Sequence, residues 1–149
     1  IIGVEPMPYS GLPNLDKAYK VVKESGCDNA MLILDTWHWV RADQPYDILT
    51  KEIGEKVVSI QINDAYERPY AASVLRDESM HDRLAPGTGA KDTVGFVKMI
   101  KEAGVSPRAV GVEVISDAIV AKGLKEAASL TYDNTVKVLK EAWPELLED

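Results

Sequence analysis

An α/β fold built on a mostly parallel sheet is predicted by three features of the 149-residue chain. Four apolar runs of strand length alternate with segments of helical spacing, the runs lack the strict in-and-out alternation of a one-sided sheet, and each ends in a polar residue. Ile1 to Glu5 reads as the first strand, a short apolar run closed by a carboxylate and Pro6. Asn14 to Ser25 then carries Leu15, Ala18, Tyr19 and Val22 at helical spacing and stops at Gly26. Ala30 to Asp35 is the second strand, followed by a polar loop with Pro45 and a short helix around Tyr46 to Gly54. Val57 to Asn63 is the third strand. After it a long connection runs from Asp64 to about Lys91, and its length calls for a functional explanation. Asp92 opens a helix through Phe96, Val97 and Ile100 to Gly104, as an aspartate cap does by accepting from exposed N–H groups. Arg108 to Val114 is the fourth strand. The remainder, from about Ala118 to Leu147, is helical in two pieces, with Asp133 and Asn134 near the expected break.

Composition bounds the function. The chain has 17 Lys and Arg against 24 Asp and Glu, a formal charge of −7, and 46% hydrophobic residues. This acidic balance argues against a nucleic-acid partner, which calls for a basic face that displaces counterions. No apolar run approaches the roughly 18–20 residues that cross a bilayer. A single cysteine, Cys27, forms no internal disulfide, and without a recognisable signal peptide a reducing cytoplasm is the expected compartment. The chain opens on Ile1 inside a strand-like run, so it is expected to begin in mid-protein.

The strand ends carry the chemistry. Glu5, Asp35, Gln61 or Asn63, and Glu113 fall at the carboxyl ends of four successive strands, where parallel α/β folds bind ligands. Carboxylate oxygens with an amide or imidazole make a hard-to-borderline donor set suited to Mg²⁺, Mn²⁺ or Co²⁺, with Zn²⁺ also compatible. Such an ion polarises a carbonyl or vicinal hydroxyls, and a nearby carboxylate can then move a proton at carbon.

With Glu5-Pro6, Asp35-Thr36-Trp37-His38, Gln61-Ile62-Asn63-Asp64, Pro86-Gly87-Thr88-Gly89 and Val112-Glu113 in this order, the chain resembles the xylose isomerase-like sugar phosphate isomerase/epimerase superfamily. The resemblance runs along all 149 residues and implies the carboxyl-terminal half, strands five to eight, of a (β/α)₈ TIM barrel. It implies one partial barrel domain of four βα units over residues 1–149, with the N-terminal half outside this sequence. It further implies Glu5, Asp35, Gln61 and Glu113 as ligands of a divalent metal, with Glu5 and Glu113 also as the catalytic acid/base pair. His38, Arg68, His81 and Arg83 are the expected substrate contacts, arginine being suited to a carboxylate or phosphate through its planar fork.

The implied activity is isomerisation or epimerisation of a keto sugar or its phosphate. Gln61 departs from the histidine of the ketose 3-epimerases and matches the 3-dehydroshikimate dehydratase branch, so a dehydratase of that type or an inosose type is the alternative. An apurinic endonuclease needs a histidine-rich zinc cluster, and only His38 and His81 exist here. A half-barrel folding module without activity is the non-enzyme alternative. An isolated parallel four-strand sheet exposes two unpaired edges, so the expected macromolecular partner is an N-terminal half barrel or a second copy, and the expected small-molecule partner is a sugar or cyclic polyol.

Ordinary structural roles compete with these assignments. Trp37 and Trp39 read as core or pocket wall. The glycines of Pro86-Gly87-Thr88-Gly89 are expected to serve the turn, with phosphate binding by its N–H groups as the functional alternative. Glu78, His81 and Arg83 lie on a mixed-charge stretch whose default is a solvated surface.

Overall fold

A computed structural model describes residues 1–67 and 74–148. Strands β1 (Ile2–Val4), β2 (Ala30–Asp35), β3 (Val57–Ile62) and β4 (Ala109–Val112) form one sheet in the order β1-β2-β3-β4, with every neighbouring pair parallel. Spatial order equal to chain order is the connectivity of a barrel wall. A doubly wound sheet would reverse direction partway. The register sets Leu34 beside Ile60 and Asp35 beside Gln61, and Gln61 beside Gly111, so the strand ends arrive at one level.

Helix α1 (Leu15–Glu24) is capped by Asn14, whose side chain accepts from Lys17 N at 3.1 Å, and it buries Leu15, Ala18 and Val22. Helix α2 (Thr36–Arg41) starts at the last residue of β2, where a polar loop was expected. Asp35 is its cap, accepting from His38 N at 2.9 Å. A 3₁₀ turn at Tyr46–Ile48 and α3 (Lys51–Gly54) lead into β3. The long connection contains α4 (Leu75–His81), and α5 (Thr93–Glu102) follows with Asp92 as its cap, accepting from Gly95 N at 2.7 Å. After β4 come α6 (Asp117–Val120), α7 (Leu124–Ala142) and a 3₁₀ turn at Pro144–Leu147.

The expected break at Asp133 and Asn134 is absent: both lie inside α7, and Asn134 donates its amide to the Leu130 carbonyl at 2.8 Å. The chain turns instead at Gly123, whose φ of +94° suits glycine, and at Pro144, which ends the helix.

One face of the sheet packs against the helices. Leu32 and Leu34 of β2 and Val57, Ile60 and Ile62 of β3 meet Leu15, Ala18 and Val22 of α1, Phe96, Val97 and Ile100 of α5, and Val138 and Leu139 of α7. Each large apolar side chain so buried contributes about 1.5–3 kcal/mol. Burial of both faces, expected from the unbroken apolar runs, is realised on this face alone. Met31, Ile33, Ser59 and Gln61, which point the other way, are only half-buried. The outer strands are more open still, with Ile2 65% and Val112 40% exposed.

Candidate metal and acid–base site

The carboxyl ends of the four strands bring Glu5, Asp35, Gln61, Asn63 and Glu113 together, and α2 and the long connection add His38 and Arg83. One ligand atom each from Glu5, His38 and Glu113 lies within 4.8 Å of the others, a spacing that a single cation can bridge. Asp35, expected as a further ligand, has both oxygens hydrogen-bonded. Its Oδ1 caps α2, while Oδ2 accepts from Asn63 Nδ2 at 2.6 Å and from Arg83 Nη1 at 3.0 Å. Gln61 Nε2 donates to Glu113 Oε1 at 3.1 Å, and Arg83 Nη1 donates to Glu113 Oε2 at 2.8 Å.

Several buried polar atoms here have no hydrogen-bond partner: Glu5 Oε1, Gln61 Oε1, Asn63 Oδ1 and His38 Nδ1. Buried oxygens are seldom left so. His38 Nε2 lies 3.3 Å from both Arg83 Nη2 and Glu5 Oε1. Arginine can only donate, so Nε2 is the unprotonated ring nitrogen, and a carboxylate oxygen lies beside it. Such a meeting of electron-rich atoms favours a cation, and the donors, carboxylate and amide oxygens with one imidazole, fit a divalent metal.

Electrostatics agrees with this geometry. Burial, reinforced by the charges of Asp35 and Glu113, raises the Glu5 pKa to about 7. Burial also raises Asp35 to about 6, against the opposing pull of Arg83 and the His38 N–H. His38 is lowered to about 3, chiefly by burial and then by the Arg83 charge, so it is neutral at pH 7 and its contact with Glu5 is not an ion pair.

The expected solvated surface around Glu78 and Arg83 is overturned, since each is only 2% exposed. Glu78 pairs with Arg41, accepting from its Nε at 3.0 Å, and accepts from Trp37 Nε1 at 3.3 Å. Arg83 sits over the Trp37 ring at 5.5 Å from the centroid. Trp37 is thus buried beneath two guanidinium groups, whereas Trp39 packs against Phe96 in the main core.

His81 does not join the strand-end cluster: it is exposed and meets Asp117 at 3.1 Å. Arg68 lies outside the described residues. The Pro86-Gly87-Thr88-Gly89 turn has a structural task, because the N–H groups of Gly89 and Lys91 donate to the buried Asp64 carboxylate at 2.9 and 3.2 Å. A Cβ on Gly89 would strike that carboxylate and the Ala65 carbonyl.

Sequence reasoning left Tyr9 and Ser79 unremarked. Tyr9 lines the site edge-on to His38 with ring centroids 5.7 Å apart, and its hydroxyl meets Ser79 Oγ at 3.2 Å. The one signal for Ser79 was its position, four residues before Arg83.

The family model for the xylose isomerase-like TIM barrel matches residues 1–142. The chain belongs to this family. Within the xylose isomerase-like family, an inosose isomerase of Bacillus velezensis is 29% identical over 134 residues, covering 90% of this chain and 43% of that protein. A 3-dehydroshikimate dehydratase of Pseudomonas aeruginosa is 30% identical over 104 residues, covering 69% of this chain and 16% of that protein. Among solved structures, the IolI protein with a bound zinc atom superposes with a TM-score of 0.82 at 26% identity, over 95% of this chain and 50% of that one. The chain therefore spans about half the length of the inosose isomerase and of the zinc-bound structure, and its four βα units correspond to half of a xylose isomerase-like barrel.

Proposed function

We propose that this chain supplies the metal and acid–base site of an isomerase acting on a cyclic polyol ketone or keto sugar, within a barrel completed by a second half. The observation that carries the reading is the meeting of Glu5, His38 and Glu113 beside the unpartnered oxygens of Gln61 and Asn63. The inosose isomerase relative supports the substrate class.

Glu5, Glu113 and Gln61 would hold a divalent ion, with His38 as a further donor and Asp35 orienting the group through Arg83 and Asn63. Mn²⁺, Mg²⁺, Co²⁺ and Zn²⁺ all suit this donor set. When bound, the ion supplies Lewis acidity, drawing electron density from a carbonyl or vicinal hydroxyl oxygen. Glu5, with its pKa near 7, exchanges a proton readily at neutral pH and is matched to removing one from a carbon next to that carbonyl. Glu113 is placed to return a proton, while its bonds to Arg83 and Gln61 fix its direction. Neutral His38 and Tyr9 wall the space and can contact the substrate's hydroxyl groups.

The second reading is a dehydratase of the 3-dehydroshikimate or inosose type. Gln61, where the ketose 3-epimerases have histidine, favours it, as does the dehydratase relative. In that case the proton removed by Glu5 is followed by departure of a hydroxide that Glu113 protonates to water.

One experiment separates these readings. The protein is incubated in deuterium oxide with Mn²⁺ and, in turn, an inosose, a ketohexose and 3-dehydroshikimate. Deuterium incorporation with no change in mass otherwise supports the isomerase, and loss of water supports the dehydratase. A well-folded protein that neither binds Mn²⁺ nor exchanges any carbon proton would leave the half barrel as a folding module.

A further inference from the structure

Arg83 has five N–H groups, and all of them are engaged by the protein. Nη1 serves Asp35 Oδ2 and Glu113, Nη2 serves Ser79 Oγ and His38 Nε2, and Nε serves the Ser79 carbonyl. Two of the five therefore end on one residue, Ser79, at 2.9 Å to its carbonyl and 2.8 Å to its hydroxyl. The guanidinium is planar, so fixing Nε and Nη2 on one neighbour fixes the direction of Nη1. Ser79 is fully buried, and its hydroxyl also meets the Tyr9 hydroxyl, which ties the loop after β1 to α4. The next residue back, Glu78, locks α4 onto α2 through Arg41 and Trp37.

We propose that Ser79 is a positioning residue, which holds the Arg83 guanidinium so that a single edge, Nη1, faces Asp35 and Glu113. Without the Ser79 hydroxyl, the guanidinium is held on α4 by Nε alone and can turn Nη2 as well toward the carboxylates, where it competes with a cation for their oxygens. Held, it orders the two carboxylates from behind and leaves the opposite side of the cluster to the ion. The consequence for metal binding rests on the function proposed above, whereas the orientation of Arg83 does not.

The test is made on the whole chain with Mn²⁺ alone as the probe. In Ser79→Ala the Arg83 Nη2–H, which loses its hydroxyl acceptor while Nε–H keeps the backbone carbonyl of residue 79, should exchange with solvent at least roughly tenfold faster when followed by ¹⁵N NMR without metal, the effect of one lost hydrogen bond of ordinary strength. Calorimetric Mn²⁺ affinity should fall by about tenfold to a hundredfold, the range typical of groups that orient metal ligands. Ser79→Cys, close in size and a poorer acceptor, should fall between wild type and alanine in both. It also serves if the alanine protein fails to fold. Tyr9→Phe, which leaves the serine hydroxyl on Arg83, should keep the Arg83 exchange rate of the wild type.

A merely structural serine predicts something different: a lower Tm in Ser79→Ala with Arg83 exchange and Mn²⁺ affinity unchanged, and that result overturns the proposal. If the wild type itself binds no Mn²⁺, the metal reading fails on its own, and the exchange measurement still decides the role of Ser79.

Discussion

The inner strands β2 and β3 and the outer strands β1 and β4 differ in every respect that determines stability. The inner pair are six residues each, hydrogen-bonded on both sides, and place Leu32, Leu34, Ile60 and Ile62 at full burial. The outer pair are three and four residues, paired on one side among the described residues, and neither holds a fully buried residue. Yet Glu5 and Glu113, two of the three members of the cation-spaced cluster, follow the outer strands. The supports of the site are inner: Asp35, Gln61 and Asn63 reach out from the well-packed centre, and Asn63 and Arg83 also bond the Glu113 carbonyl. The core thus sets the frame, and hydrogen bonds carry its order out to the carboxylates at the edges.

Mutations that truncate the two kinds of strand should have very different effects. Ile60→Ala in β3 is expected to destabilise the chain by about 2–5 kcal/mol, the usual cost of a cavity in a packed core. Ile2→Ala in β1 should cost under about 1 kcal/mol, as exposed positions do. Equal losses in urea unfolding would show that the edges contribute as much as the centre.

The pH dependence sharpens the same contrast at the site. Glu5 has its folded pKa raised to about 7, so the folded chain holds a proton that the unfolded chain releases near the ordinary value of 4.5. Stability from this group is present below pH 4.5 and is lost as pH rises to 7, and Asp35 acts in the same direction up to about 6. His38 has the opposite sign. Its folded pKa of about 3 makes the neutral ring a source of stability above about 6.5 that is lost as pH falls. In Glu5→Gln the decline between pH 4.5 and 7 should flatten, leaving the variant more stable than wild type at pH 8 by on the order of 2–3 kcal/mol. Thermal unfolding across this range, without metal, reads the difference.

Mn²⁺ binding should follow the same proton. Below pH 7 the ion must displace it from Glu5, so affinity is expected to rise by up to about tenfold per pH unit and level off above 7. Calorimetry at pH 5.5, 6.5 and 8 checks this, and a flat profile would remove Glu5 from the ligand set.

The smallest effect on the chain itself is expected from Ile2→Lys and Val112→Lys, within about 0.5 kcal/mol of wild type. Their effect on assembly should be large, because a charged residue on a sheet edge blocks pairing with another strand. Sedimentation of each variant with a complementary half barrel, and alone against a second copy, distinguishes the two partners.

Much of this arrangement was legible in the residues. Four strands and their polar ends followed from apolar run length and from the position of Glu5, Asp35, Gln61 and Glu113, because burial of a strand demands a continuous apolar run and its end is where polarity resumes. The cap at Asp92 was equally local. Other features were not. Asp133 and Asn134 looked like a break because both residues compete with helix hydrogen bonds, and Asn134 met that competition by bonding inside the helix. Glu78 and Arg83 looked like surface, since a charged residue is rarely fully buried, and only their partners, Arg41 for the one and Asp35 and Glu113 for the other, made burial tolerable.

The sequence by itself determined which residues end the strands and which faces of the helices are apolar, for both are properties of spacing along the chain. The tertiary structure alone decided that the Asp35 carboxylate meets Asn63 and Arg83, that His38 comes within reach of Glu5 and Glu113, and that Ser79 meets Arg83. Those outcomes depend on directions of side chains that converge from different strands, and direction in space has no counterpart in the order of residues.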